Sequence, residues 1–209
     1  MSTARTESTG GSLDGRLTID GYRIASDAIA VLTGSLLIAL SAQARVFLPG
    51  NPIPITLQTG VVLSLPFFLH GWRAPAAVAA YLLQGLAGLP FFASGQGGAA
   101  YFVGAGGYLV GFLVAAALVS VLREKLPAGW RGSELRERAW RVISMASGNV
   151  LIYLVGVPWL AIAIDSYDVG RAIALGMLPF LIGDGVKILA ASLILPRPGS
   201  RQAATDSNR

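Results

Sequence analysis

Long apolar runs separated by short polar connections dominate the pattern of this chain. A window of about 20 apolar residues is enough to cross a hydrocarbon core as a helix, at about 1.5 Å rise per residue. Six such windows can be read: 24–47, 57–70, 74–92, 102–122, 142–164 and 172–195. The second is short and preceded by two prolines. The start, MSTARTESTGGSLDG, is polar and has no apolar stretch of the kind a cleaved signal peptide carries, so residues 1–22 are expected to be a flexible tail. Residues 23–196 are expected to form one six-helix transmembrane domain, and 197–209 a second flexible tail.

Composition agrees with that reading. Hydrophobic residues make up 54% of the chain and charged residues 13%, against roughly 25% charged in soluble domains. The expected class is an all-α integral membrane protein. The distribution of charge then suggests an orientation, because cytoplasmic flanks retain Lys and Arg. Arg5, Arg16 and Arg23, Arg73, the group Arg123, Lys125, Arg131, Arg136, Arg138 and Arg141, and Arg197, Arg201 and Arg209 would all lie on one side. Only Arg45 and Arg171 fall on the other. Both termini are therefore expected to be cytoplasmic. The net charge of +5 is explained by these flanks facing lipid headgroups and calls for no nucleic acid. The stretch RGSELRERAWR at 131–141 reads either as a short interfacial helix or as a solvated loop.

Two charges lie where a bilayer tolerates them poorly. Asp184 and Lys187 sit inside LPFLIGDGVKILAASLIL, where each isolated charge costs roughly 2.5–3.5 kcal/mol on insertion scales. Three residues apart, they share a helix face. They read either as an internal ion pair that joins helices or as a polar ligand site, with Gly183 and Gly185 leaving room for the ligand. The outer segment ARVFLPGNPIPITLQTG at 44–60 is stiffened by Pro49, Pro52 and Pro54 and is suited to be a lid. It brings Thr56, Gln58 and Thr59 to the mouth of the second helix, where Thr56 is the natural capping residue.

The glycine-rich stretch 88–112 has no GKS or GKT arrangement, so it is not a nucleotide P-loop. Its glycines allow close backbone approach or a loop folded over a ligand. Gln96 is its one long amide. Phe91, Phe92, Tyr101 and Tyr108 read either as walls for a flat ring or as interfacial belt residues. Asn149, Gln43 and Gln84 are further amides inside apolar runs. In the first helix, Ala30 with Gly34 and Ser35 with Ala39 have the spacing for close helix contact, inside the bundle or with a partner. The chain has no cysteine and a single histidine, His70, which excludes thiolate chemistry and histidine clusters. No metal or cofactor is expected.

Four runs together carry a specific resemblance: PIPITLQT at 52–59, LLQGLAGLPFFASGQGG at 82–98, GAGGYLVGF at 104–112 and GDGVK at 183–187. In this order they resemble the BioY family, the biotin-binding S components of energy-coupling factor (ECF) transporters. The resemblance spans about residues 45–195. It implies a six-helix capture subunit in a prokaryotic plasma membrane that binds biotin from outside. It also implies as partners a transmembrane coupling protein and two cytosolic ATPases. Asp184 and Lys187 match the family's acidic and basic pair and would contact biotin. Gln96 is the nearest candidate for the polar contact from the glycine-rich loop, and Gln58, Tyr108 and Asn149 complete the expected site. Ala30 and Gly34 match the small residues that meet the coupling subunit, although Gly34 stands where the family more often has Ala.

Three rivals belong to other classes. An intramembrane protease would need a serine and histidine arrangement that ASG at 93–95 or 146–148 with His70 does not supply. A proton- or sodium-coupled secondary transporter would use Asp184 as its ion site, but no inverted repeat is evident. An S component for a different vitamin would share the architecture.

Overall fold

The computed structural model describes the backbone of residues 11–47, 54–163 and 168–195, and the side chains of these segments from residue 21 onward. The first apolar run forms helix α1, Gly11–Gln43. It starts inside the segment expected to be a flexible tail. Once the apolar turns are helical, each added residue gains a hydrogen bond at little further cost, and no proline interrupts 11–43. Residues 1–10 and 197–209, the remaining tail segments, lie outside the described residues.

After α1 the chain turns at Ala44 into a two-residue ladder, β1 (Arg45–Val46) with β2 (Ile55–Thr56), antiparallel, pairing Arg45 with Thr56 and Val46 with Ile55. The stiff outer segment is thus strapped at its base; Pro49 and Pro52 lie outside the described residues. Helix α2, Gln58–Phe68, follows at once, with the Thr56 hydroxyl accepting from the Gln58 N–H at 3.3 Å. Helix α3, Arg73–Leu86, stops six residues before the expected end of the third run. Gly88 at φ +99° and Pro90 end it, and the chain doubles back. Phe92, expected at the end of that helix, is fully buried instead, stacked on Tyr101 at 4.9 Å and edge-on to Tyr81 at 5.6 Å. It is an aromatic core residue rather than part of an interfacial belt.

Helices α4 (Ala100–Glu124) and α5 (Glu134–Ala163) form the central pair. At Gly111 a side chain would come within 3.0 Å of the Ile152 backbone, which is why glycine stands there. The basic stretch after residue 131 is neither a separate interfacial helix nor a loop throughout: from Glu134 it is the first turns of α5. The last apolar run, expected as one helix, is two: α6 (Val169–Gly176) and α7 (Leu178–Ile194). Pro179 lacks an N–H and its ring clashes with the preceding turn, so the helix breaks at Met177.

Among the described residues, four stretches are long and apolar enough to cross a membrane alone: 21–43 of α1, α4, α5, and the α6–α7 run. At 11 and 14 residues, α2 and α3 are about 17 and 21 Å long, short of a core of about 30 Å. The apolar core lies between α2, α3, α4 and α5, with α1 laid across α2 and α3 and α7 across α2 and α5.

Candidate functional site

Asp184 is 1% exposed, on the face of α7 that meets α2 and α5. Its Oδ1 accepts from the Thr59 hydroxyl at 2.7 Å and from Lys187 Nζ at 2.9 Å; its Oδ2 accepts from the Tyr153 hydroxyl at 2.5 Å. Lys187 Nζ also donates to the Thr56 carbonyl at 2.6 Å and to Thr59 Oγ1 at 3.0 Å. All three ammonium protons therefore have acceptors. Hydrogen bonds to charged groups are worth about 1.5–3 kcal/mol each, so this set offsets much of the cost of burying the pair. Local sequence explains the convergence. Positions 184 and 187 share one face of α7, Thr59 enters in the first turn of α2, and Tyr153 lies mid-way along α5. Gly60 gives the Lys187 stem its path, because a Cβ there would lie 3.3 Å from the Lys187 Cβ.

The network forms one wall of a pocket with an empty volume of about 610 Å³, counted with its open mouth. Thr56, Gln58, Thr59, Tyr153, Asp184 and Lys187 form its polar wall, and Tyr101, Tyr108, Leu109, Phe112, Ile152 and Phe180 an apolar one. Gln58, itself buried, donates to the Tyr81 hydroxyl at 2.7 Å. Tyr108 donates to the Gly176 carbonyl at 2.9 Å, a group that the break at Met177 takes out of the regular helix ladder. Chemically the pocket offers an acceptor. A carboxylate has about four lone-pair positions, and three are filled: two on Oδ1 and one on Oδ2. One position on Oδ2 remains for a donor on a ligand.

A family model described as the BioY family matches residues 10–203. The chain belongs to the BioY family. A protein of Thermotoga maritima described as "Biotin transporter BioY" is 36% identical over 155 residues, covering 74% of this chain and 85% of that protein. A Rhodobacter capsulatus protein of the same description is 32% identical over 173 residues, covering 78% and 87%. A crystal structure of "the S-component for biotin from an ECF-type ABC transporter" matches with a TM-score of 0.72 over 83% of this chain and 90% of that one. At 23% identity this establishes the shared fold.

In this BioY chain the expected site residues separate into three sets. Asp184, Lys187, Gln58 and Tyr108 come together in the pocket. Gln96 does not: it is exposed, its carbonyl bridged to the Phe92 N–H at 2.8 Å, and it lines no part of the pocket. Asn149 is buried on α5 one turn before Tyr153 and lines no part of the pocket. Gly34 faces inward, where a Cβ would sit 2.8 Å from that of Ala77 on α3, so its small size serves packing within the bundle. Gly183 and Gly185 line no part of the pocket, and a Cβ at either would meet nothing closer than 3.9 Å. Tyr153 is the residue that sequence reasoning missed. Its signal was present: with Asn149 at i, i+4 it makes a polar stripe in SGNVLIYLVG.

Proposed function

We propose that this chain is the biotin-capturing S component of an ECF-type transporter, with biotin entering the Asp184 pocket from the outer side. The observation that carries the reading is a buried carboxylate, neutralised by Lys187, with one unused acceptor position beside an aromatic wall, in a BioY chain. The ureido ring of biotin presents N–H donors and a carbonyl on a flat, otherwise apolar bicycle. Asp184 Oδ2 takes an N–H, Lys187 and Thr59 hold the carboxylate in place, and Tyr101, Tyr108 and Phe180 flank the ring. The β1–β2 strap and the 87–99 segment border the mouth.

In this reading the bundle crosses the membrane six times. The short helices α2 and α3 are completed by their flanking segments, and both termini are cytoplasmic, as the basic flanks require. Energy comes from partner subunits, a membrane coupling protein and ATPases, which meet the cytoplasmic half. Labelled-biotin binding by the purified chain, followed by uptake in cells with and without such subunits, tests the assignment. Saturable binding, with uptake increased by the subunits, is expected. Uptake driven by a proton or sodium gradient alone would instead favour a secondary transporter.

A further inference from the structure

Gln43 is the last residue of α1 and is exposed, yet its side-chain amide is engaged at both ends. Nε2 donates to the Phe92 carbonyl at 3.0 Å, and Oε1 accepts from the Gly95 N–H at 3.0 Å. A primary amide carries a donor and an acceptor side by side, so one side chain can clamp a turn that presents a carbonyl and an N–H along one edge. Within the turn, the Gly95 N–H also donates to the Phe92 carbonyl at 3.1 Å and the Phe92 N–H to the Gln96 carbonyl at 2.8 Å. Ser94 at φ +69° and Gly95 at φ +68° are left-handed, a conformation that is unfavourable for serine and persists where surrounding contacts impose it. Arg45 Nη1 donates to Gln43 Oε1 at 3.4 Å, so Gln43 touches the β1–β2 strap as well as the 87–99 segment.

The clamped turn reaches the pocket through Phe92. The Phe92 ring lies so close to the α3 backbone that a Cβ at Gly85 would overlap it, and it stacks on Tyr101 with the two planes 19° apart. Tyr101 lines the pocket, as does Ala93 in the turn itself, whereas Gln43 lines no part of it. Close-packed interiors transmit small displacements, and a stacked pair moves together, so a turn that slackens carries Phe92 and then Tyr101 with it. Resting on the biotin reading above, we infer that Gln43 is a positioning residue for binding: by clamping the 92–95 turn it sets Phe92, and through Phe92 the Tyr101 wall of the pocket, without touching the ligand.

The test is a double-mutant cycle on biotin binding by the purified full chain, with Gln43→Met and Tyr101→Leu made singly and together. Gln43→Met keeps the length of the side chain and removes both amide hydrogen bonds. Gln43→Ala or Tyr101→Met replaces either variant that does not elute as a monodisperse protein. Gln43→Met is expected to weaken biotin binding about three- to tenfold, the worth of one hydrogen bond. In the Tyr101→Leu background the same substitution is expected to change affinity by less than about twofold, because the ring that carries its effect is gone. A purely structural role would lower the melting temperature and leave the affinity of the folded chain unchanged. Wild-type affinity in Gln43→Met overturns the inference, and so does the full loss repeated in the Tyr101→Leu background. Either result in a series whose wild type binds biotin defeats this inference alone; a wild-type chain that binds no biotin defeats the functional reading and this inference with it.

Discussion

At the residue scale, the pocket is organised around a buried aspartate whose oxygens are held by Thr59, Lys187 and Tyr153. Thr59 is the joint of that arrangement, since its hydroxyl gives its proton to Asp184 and receives one from Lys187. Thr59→Val keeps the shape and removes both bonds. It is expected to weaken biotin binding about tenfold and to lower the melting temperature in detergent, because two charged groups each lose a partner. Asp184 and Lys187 were legible in the sequence because charges inside an apolar run are costly and few. Tyr153 was not, because a tyrosine in an apolar helix needs no explanation of its own until the carboxylate 31 residues away is seen to meet it. What a glycine packs against is likewise legible only once the neighbouring helix is known. Gly183 and Gly185 flank the aspartate in sequence, but Gly60, on another helix, is the one the lysine stem lies against.

At the scale of elements, the helices were legible where hydrophobicity and ending signals agreed, as in α4, and less so where they conflicted. Apolar continuity extended α3 through LPFF and joined α6 to α7, whereas Gly88 with Pro90 and Pro179 decided both outcomes locally. The second break shapes the pocket wall: it leaves the Gly176 carbonyl to Tyr108, and an added Cβ at Gly176 would overlap the Tyr108 hydroxyl. Gly176→Ala is therefore expected to displace a pocket wall and reduce biotin affinity, read by titration of the purified variant. The α1–α3 contact gives a second test. Besides Gly34 against Ala77, it is tied by a Ser35–Gln84 hydrogen bond and an Asp27–Arg73 ion pair at 2.5 Å. Gly34→Ala should cost the isolated chain about 1–3 kcal/mol by overpacking, seen as a lower melting temperature. A face reserved for a partner would leave the isolated chain unaffected and impair only assembly.

At the scale of the whole molecule, the pocket, the β1–β2 strap and Gln96 share one end of the bundle. The other end holds the basic segment before α5 and the clamp in which Arg123 donates to the Pro66 carbonyl at 3.0 Å and meets His70. The absence of native cysteine makes the orientation directly measurable. A membrane-impermeant maleimide is expected to label Gln96→Cys in intact cells and Gly129→Cys only after permeabilisation. Biotin at 100 times its dissociation constant should stabilise the fold by about 2.7 kcal/mol, visible as a raised melting temperature. The most direct test of the central claim is equilibrium binding of labelled biotin to the purified wild-type chain and to Asp184→Asn, each checked for monodispersity. Saturable binding at one site per chain, weakened at least about tenfold in the variant, is the predicted result. Wild-type affinity in Asp184→Asn would contradict it.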